Sequence, residues 1–254
     1  MIDIHAHILP GLDDGARNLE ESRELARREA AEGVTAIAAT PHVRSDYPTR
    51  PQAMEAAVAA LREDFARTGI PVEVLHGGEL ALDMLSTLGP EELSRFTLAQ
   101  TGRYLLVEFP YVGWPLGLER RVFDLEVTGL RPVLAHPERN RDVQASPARL
   151  EEAVRVGALV QITAASLDGR IGPSSQRAAA YLLERDLAHV IASDAHSPEI
   201  REAGLAAATR ALKDGGLARY LTEDAPGAIV AGADLPERPA PRRRPSIRRA
   251  GRRS

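Results

Sequence analysis

Short apolar segments recur along the chain and alternate with amphipathic stretches. The apolar segments are continuous rather than alternating in polarity, which is typical of strands buried on both faces of a parallel sheet. We predict seven strands, at 2–5, 35–40, 72–76, 104–108, 132–135, 159–163 and 189–193. Between them, capping residues and prolines predict helices from 18 to about 32, 51 to about 68, 147 to 157, 175 to about 185 and 198 to about 213. This alternation predicts an α/β fold, either barrel-like or doubly wound.

Two stretches depart from the alternation. Residues 80–101 contain no clear strand, and we predict short helices there. From residue 236 the chain is rich in proline and arginine, with eight Arg and one Glu over 236–254. We therefore predict one domain over 1–235 and a disordered tail over 236–254 with a charge of +7, which leaves −11 for the body from a net charge of −4.

Composition excludes several classes of protein. The 254 residues include no cysteine, so there is no disulfide framework, thiolate zinc site, iron–sulfur cluster or cysteine nucleophile. No apolar stretch approaches the roughly 20 residues of a membrane helix. We expect no signal peptide, because the first predicted strand begins at residue 2, and we expect a cytoplasmic location.

Acidic and imidazole side chains follow nearly every predicted strand. In a parallel α/β barrel the carboxyl ends of all strands open onto one face, where active sites lie. Five of the seven histidines and four carboxylates would then meet at one mouth. The residues concerned are His5, His7, Asp14, His42, Glu79, Glu108, His136, Asp194 and His196.

These residue types predict a metal centre. His5 and His7 are two residues apart on a strand and point the same way. Imidazole and carboxylate ligands without thiolate suit Mn, Fe, Zn or Co, and their number implies two or three metals with a bridging carboxylate. Such clusters typically hydrolyse phosphate esters or amides. A structural alternative exists for each residue, but together these charges would be costly to bury unpaired.

Other polar residues have both a functional and a structural interpretation. Arg139 and Arg201 follow the metal motifs closely and could bind phosphate through their planar guanidinium groups, or form surface ion pairs. Asp3 could orient a ligand imidazole, or be a satisfied buried carboxylate. His76 and His189 do not fit the cluster, and we predict structural or surface roles for both.

Taken together, the motifs resemble those of the polymerase-and-histidinol-phosphatase (PHP) superfamily. Within it they are most similar to the manganese-dependent protein-tyrosine phosphatases of capsule and exopolysaccharide synthesis, of the CpsB/YwqE type. The similarity runs in the same order and spacing from residue 1 to about 230. It rests on Asp3-Ile4-His5-Ala6-His7, Asp13-Asp14-Gly15, Thr40-Pro41-His42, Gly78-Glu79, Glu108-Phe109-Pro110, Ala135-His136-Pro137-Glu138-Arg139-Asn140-Arg141, Gln161-Ile162-Thr163 and Ala192-Ser193-Asp194-Ala195-His196.

The resemblance implies a distorted seven-stranded β/α (TIM-like) barrel and three metal positions. The implied ligands are His5, His7, Glu79 and Asp194 for the first metal, Glu79, Glu108 and His136 for the second, and Asp14, His42 and His196 for the third. Asp13 is an alternative to Asp14 that spacing does not exclude. Arg139 and Arg201 would hold the phosphoryl group, and either His42 or His196 could assist catalysis.

The implied activity is removal of phosphate from phosphotyrosine on a protein. The expected substrate is a membrane-associated bacterial tyrosine autokinase that controls polysaccharide export, and the expected metal is Mn²⁺. A phosphatase of small metabolites such as histidinol phosphate, or a non-catalytic regulatory module, are the alternatives. The Arg-rich tail is either a solvated disordered terminus, which we favour, or a segment that makes weak contact with anionic membranes. We expect no nucleic-acid partner, because the body is acidic and the tail lacks aromatic residues.

Overall fold

The structure is a computed structural model that describes residues 1–198 and 204–240. The predicted phosphate-binding residue Arg201 and positions 241–254 of the predicted tail lie outside the described residues. Of the tail, residues 236–240 are described. Arg238 lies against the body, with its Nε 2.9 Å from Asp186 Oδ1 and its guanidinium carbon 6.0 Å from the ring centre of Tyr220. The domain boundary at 235 stays a prediction.

Ten strands form two sheets in the described part of the chain. They are β1 (Ile2–Ala6), β2 (Ala36–Ala39), β3 (His42–Arg44), β4 (Tyr47–Pro48), β5 (Glu73–Leu75), β6 (Glu79–Ala81), β7 (Tyr104–Glu108), β8 (Arg131–Ala135), β9 (Leu159–Thr163) and β10 (Val190–Ala192). One sheet has the order β1-β2-β5, and the other has the order β10-β9-β8-β7-β6-β3-β4. Neighbouring strands are parallel except β3 and β4, which pair antiparallel.

The α/β class is confirmed, but a single closed barrel of seven strands is not. All seven predicted strands are present, and β3, β4 and β6 are additional. The described strands form two sheets because the hydrogen bonding between strands is interrupted at two places along the chain. These are Pro41, between β2 and β3, and Gly77 and Gly78, between β5 and β6. An isolated parallel bridge between Ala6 and Ala195 joins the end of β1 to the segment after β10.

Eleven α-helices lie in the described residues, mostly between successive strands. They are α1 (Leu19–Ala31), α2 (Pro51–Thr68), α3 (Pro90–Arg95), α4 (Leu118–Val127), α5 (Arg141–Ala145), α6 (Leu150–Val156), α7 (Ala164–Leu167), α8 (Pro173–Glu184), α9 (Leu205–Leu212), α10 (Gly215–Arg219) and α11 (Ala225–Val230). The short helices predicted within 80–101 are confirmed as α3 and two 3₁₀ turns, Met84–Ser86 and Leu98–Gln100. The helix predicted from 198 is described only from Leu205. None of these helices combines the length and apolar character that a membrane span requires.

The cap predicted for α1 is half formed. Asn18 Oδ1 accepts a hydrogen bond from the Glu21 amide at 3.1 Å, as an N-cap residue does. The Glu21 carboxylate does not return to Asn18 but accepts from the amide of Arg17 at 2.8 Å. The helix therefore begins where the sequence predicts, with only one side of the capping box.

The continuous apolar pattern of β7 and β9 reflects their complete burial. Every residue of β7 and of β9 is buried, including Glu108 at the end of β7. His189 lies at the amino end of β10, away from the strand termini that carry the other histidines. Its Nδ1 accepts from the Val160 amide at 3.1 Å. Burial, with help from the nearby charge of Arg238, lowers the pKa of His189 to about 4, so His189 is a neutral structural residue.

Candidate metal centre

The end of β1 brings two imidazoles to the mouth of the fold. The Nε2 atoms of His5 and His7 lie 3.2 Å apart, and both side chains are fully buried. Asp194 Oδ1 lies 3.5 and 3.6 Å from these two atoms, and Glu79 Oε2 lies 3.5 and 3.4 Å from them. Two donors bound to one ion at about 2.1 Å are separated by about 3–3.5 Å. His5, His7 and Asp194 thus form one group of candidate ligand atoms, and Glu79 Oε2 lies at a similar distance from both imidazoles.

Glu79 is the centre of the cluster. It begins β6, is fully buried, and places Oε1 2.9 Å from His136 Nε2 and Oε2 2.9 Å from His42 Nδ1. Glu108 Oε2 lies 3.9 Å from the same His42 nitrogen. Glu108 and His136 therefore both group with Glu79, but in separate sets, one with His42 and the other with His5.

A third group forms around Asp14. Asp14 Oδ1 lies 3.4 Å from Nε2 of both His42 and His196, and His196 stacks on His7 with ring centres 3.9 Å apart. Asp13 has a different position. Its Oδ2 lies 2.6 Å from His7 Nδ1, on the side of the ring opposite the cluster. The structure therefore directs Asp14 toward the candidate metal position and Asp13 toward the back of an imidazole.

The ring nitrogens that face away from the cluster have their own partners. Asp13 contacts His7 in this way, and Gln161 Oε1 lies 2.9 Å from His5 Nδ1. Such contacts fix the tautomer and orientation of a ligand imidazole. Of the two interpretations of Asp3, the structure supports the satisfied buried carboxylate, which accepts from the Ser193 amide at 3.0 Å and hydroxyl at 2.5 Å and from the His5 amide at 3.2 Å. Asp3 shares a strand face with His5 but lies two residues before it, about 6.6 Å nearer the amino end of β1.

The electrostatics of the cluster favour bound cations. Burial acts to raise the pKa of Glu79, but the charge of His5 and the hydrogen bond with His136 outweigh it and hold this pKa well below its usual range. Burial acts to lower the pKa of His7, but the hydrogen bond with Asp13 and the nearby carboxylate of Glu79 outweigh it and raise this pKa to about 10. The carboxylates thus stabilise positive charge at the position where the imidazole nitrogens converge.

Unpartnered polar atoms point to the same conclusion. Glu79 Oε2 and His42 Nδ1 lie 2.9 Å apart, yet neither makes a well-directed hydrogen bond within the described residues. Buried polar atoms of this kind are costly unless something else satisfies them. Four overlapping sets of three or four ligand atoms occur among the described residues. The residues present therefore fit a cluster of divalent cations.

Two arginines donate hydrogen bonds to carboxylates of the cluster. Arg139 ends a 3₁₀ turn that follows His136, is 14% exposed, and donates from Nη1 to Asp194 Oδ2 at 2.5 Å. Arg44, which sequence reasoning did not single out, donates from Nη1 to Glu108 Oε1 at 2.9 Å. Its signal in the sequence is its position two residues after His42, which places both side chains on one face of β3.

The backbone at two candidate ligands lies in the left-handed region. His136 has a φ of 39° and Asp194 a φ of 54°. Residues with a Cβ atom rarely adopt this conformation, which costs on the order of 1–2 kcal/mol each. Each follows the end of its strand, where the reversal turns the side chain into the mouth. The neighbouring Gly15 is required for a different reason, since a Cβ there would lie 2.1 Å from the His7 carbonyl oxygen.

An α/β fold that gathers imidazoles and carboxylates at the carboxyl ends of its strands is typical of metal-dependent hydrolases. The comparison with known families is more specific. The chain belongs to the capsular polysaccharide synthesis CpsB/CapC family, whose model matches residues 1–223. The family resemblance predicted from the motifs is confirmed.

Individual relatives are tyrosine phosphatases. Tyrosine-protein phosphatase YwqE of Bacillus subtilis (strain 168) is 39% identical over 204 residues, which cover 79% of each chain. Tyrosine-protein phosphatase CpsB of Streptococcus pneumoniae is 30% identical over 209 residues, covering 79% of this chain and 85% of its own. The fold also matches a crystal structure from work on YwqE and CpsB, described as unique metal-dependent tyrosine phosphatases. That match has a TM-score of 0.85 and 36% identity, and it covers 96% of this chain and all of the other.

Proposed function

We propose that this chain is a metal-dependent protein-tyrosine phosphatase. The observation that carries the proposal is the convergence of nine imidazole and carboxylate side chains, drawn from separate strands, in overlapping groups around Glu79. The relatives' named activity supports the choice of phosphotyrosine as the substrate. Capsule or exopolysaccharide synthesis is the process that the family description favours.

The proposed cofactor is a set of two or three divalent metals, with Mn²⁺ the physiological ion and Fe, Zn or Co as substitutes. The residues proposed to hold them are His5, His7, Asp14, His42, Glu79, Glu108, His136, Asp194 and His196. Two divalent ions would offset the charge of the four carboxylates in this set. Treatment with EDTA is expected to abolish activity and Mn²⁺ to restore it, and activity that resists chelation would contradict the proposal.

Bound divalent metals supply an activated water and offset charge on the phosphoryl oxygens. The chain's own contribution is positioning. Arg139 is proposed to bind the phosphoryl group, because its guanidinium has further N–H groups beside the one that reaches Asp194. Arg201 is proposed to join it. His42 and His196, which flank Asp14, are the candidates to hold or pass a proton at the edge of the cluster.

Removal of single ligands tests the site. His136→Ala and Asp194→Ala are expected to lose p-nitrophenyl phosphate hydrolysis and part of the bound manganese, while far-ultraviolet circular dichroism stays that of the wild type. His76→Ala is the matched control, a half-buried histidine outside the candidate ligand groups. Full activity of both ligand variants would show that the site is wrongly assigned.

We further propose that the substrate is a membrane-associated tyrosine autokinase and that the phosphatase acts in the cytoplasm. Parallel assays with a phosphotyrosyl peptide and with histidinol phosphate would separate this activity from that of a small-metabolite phosphatase.

We propose that the catalytic domain spans 1–235 as a distorted β/α barrel, which the bridge between Ala6 and Ala195 supports.

The Arg-rich segment 236–254 is proposed to add weak attraction to anionic membranes, worth about 1 kcal/mol per arginine near the surface. Sedimentation with phosphatidylserine vesicles would compare the full chain with a truncation that ends at Asp234. Equal sedimentation of the two would contradict this part of the proposal.

A further inference from the structure

Tyr111 occupies a position at the mouth of the site that the proposed mechanism does not use. It lies in the segment between β7 and α4, three residues after Glu108. Its ring is parallel to that of His136, with an interplanar angle of 1° and 5.7 Å between ring centres. The guanidinium carbon of Arg139 lies 4.7 Å from the centre of the same ring. Tyr111 therefore contacts both a candidate metal ligand and the residue proposed to hold phosphate.

The backbone around Tyr111 is tied to the Arg139 turn. Asn140 is 1% exposed, and its Nδ2 donates to the carbonyls of Pro110 at 2.6 Å and Gly113 at 2.9 Å. In addition, the amide of Arg141 donates to the Tyr111 carbonyl at 3.1 Å. These bonds hold the backbone around Tyr111 against the turn that carries Arg139 before any substrate arrives, and such preorganisation reduces the cost of binding.

Part of the Tyr111 side chain remains open to an incoming group. The residue is 43% exposed although its ring packs on His136, and the adjacent Val112 is 64% exposed. In phosphotyrosine the phenyl ring is joined to phosphorus through a single oxygen. A phosphoryl group held by Arg139 would bring the substrate's phenyl ring close to Tyr111, because the Tyr111 ring lies beside the same guanidinium.

A second tyrosine has a similar local arrangement but lacks the link to phosphate. Tyr47 stacks on His42 at 5.8 Å and lies 5.3 Å from the guanidinium carbon of Arg44. That guanidinium is already engaged by two carboxylates, Asp46 at 2.8 Å and Glu108 at 2.9 Å. The Tyr111 side of the mouth is therefore the one that combines an aromatic surface with a cation proposed to hold phosphate.

We infer that Tyr111 is the residue that makes this site prefer aryl phosphates, because its ring packs against the phenyl ring of the substrate. The inference rests on the proposed phosphatase function and assigns substrate preference within it. Packing between two aromatic rings predicts a contribution of about two- to twelvefold in affinity. The same contact is absent for a phosphoserine or other alkyl phosphate.

The test uses Tyr111→Leu and Tyr111→Phe in the full chain. Inhibition constants are measured for phenylphosphonate and methylphosphonate, which share the anionic group and differ in the ring, and kcat and KM are measured for a phosphotyrosyl peptide. Tyr181→Leu is the matched control, because Tyr181 also lies beneath an arginine, 5.5 Å from the guanidinium carbon of Arg185, but on α8. We expect Tyr111→Leu to weaken phenylphosphonate binding by about two- to twelvefold through lost ring packing, with methylphosphonate binding unchanged.

We expect Tyr111→Phe and Tyr181→Leu to behave like the wild type, with the loss in Tyr111→Leu appearing as a higher KM for the peptide. Equal weakening of both phosphonates by Tyr111→Leu would show a structural role and overturn the inference, as would an unchanged ratio of the two constants. The activity of the wild type distinguishes failure of the proposed function from failure of the inference about Tyr111. A wild-type protein without aryl phosphatase activity contradicts the proposed function, whereas an active wild type with unaltered Tyr111→Leu contradicts only the inference.

Discussion

Asp13 holds the imidazole of His7 from behind, and we expect Asp13→Asn to weaken metal binding without removing a ligand. The side chain of Asp13 is buried, with Oδ2 2.6 Å from His7 Nδ1 and 2.9 Å from the His42 amide, while Oδ1 accepts from the Gly15 amide at 2.9 Å. Asparagine has the same shape but one acceptor oxygen and no charge. It therefore leaves at least one of these groups unsatisfied and, without the negative charge, supports the His7 ring more weakly.

The expected magnitude follows from the role of such contacts. Loss of a carboxylate that orients a ligand histidine typically lowers metal affinity by about 10- to 100-fold, which is about 1.4–2.8 kcal/mol. The assay is p-nitrophenyl phosphate hydrolysis as a function of Mn²⁺ after removal of metal with EDTA. We expect the half-saturating Mn²⁺ concentration to rise by that factor, while activity at saturating Mn²⁺ returns close to the wild-type value.

The control is Asp124→Asn, which removes an exposed carboxylate that pairs with Arg120 within α4 at 2.8 Å. It is expected to leave the Mn²⁺ dependence unchanged. A half-saturating Mn²⁺ concentration in Asp13→Asn equal to that of the wild type would refute the reasoning. So would a loss of activity that saturating Mn²⁺ does not restore, because that result would make Asp13 a participant in the reaction.

Three further predictions concern stability and local geometry. Gly15→Ala is expected to displace His7 and lose manganese binding by calorimetry, because the new Cβ would lie 2.1 Å from the His7 carbonyl oxygen; retained binding would contradict the close approach. Folding lowers the pKa of His189 from 6.5 to about 4, so between these pH values the unfolded chain binds a proton that the folded chain does not. The free energy of unfolding of the wild type is therefore expected to fall by up to about 3 kcal/mol as the pH falls from 6.5 to 4. Urea unfolding of His189→Gln is expected to lack this part of the pH dependence, and parallel curves for the two proteins would exclude it. Asn18→Ala is expected to cost about 1 kcal/mol in the same assay through loss of the α1 cap, and no change would mean that the hydrogen bond to the Glu21 amide is not stabilising.

The strands and the cluster were predictable because both depend on position along the chain. Continuous apolar runs identified seven strands, and acidic or imidazole residues after nearly every run identified the common face. The sheet division was not predictable in this way. Strands β3, β4 and β6 have only two or three residues, too few for a periodic pattern, and they form because neighbouring strands supply their hydrogen bonds.

The residues around the ligands were harder to predict because their role depends on contacts between distant parts of the chain. Gln161 and His5 are separated by 156 positions, and only the fold brings them to 2.9 Å. The sequence does contain a sign of this role, because Gln161 is an amide side chain in the middle of the mostly apolar, buried strand β9. Arg44 was hidden among many surface arginines, and the two interpretations of Asp3 could not be separated because a shared strand face does not specify depth.

The left-handed backbone at His136 and Asp194 lowers the stability of the fold at two positions whose side chains are candidate metal ligands. Glycine would adopt these conformations without the cost that a Cβ atom imposes, so it is the residue that folding alone would favour there. Glycine would also delete a candidate ligand at each position. Selection for a more heat-resistant chain would therefore favour substitutions that remove the ligands at these two strand ends. Selection for catalytic activity retains His136 and Asp194 at the cost of some thermal stability.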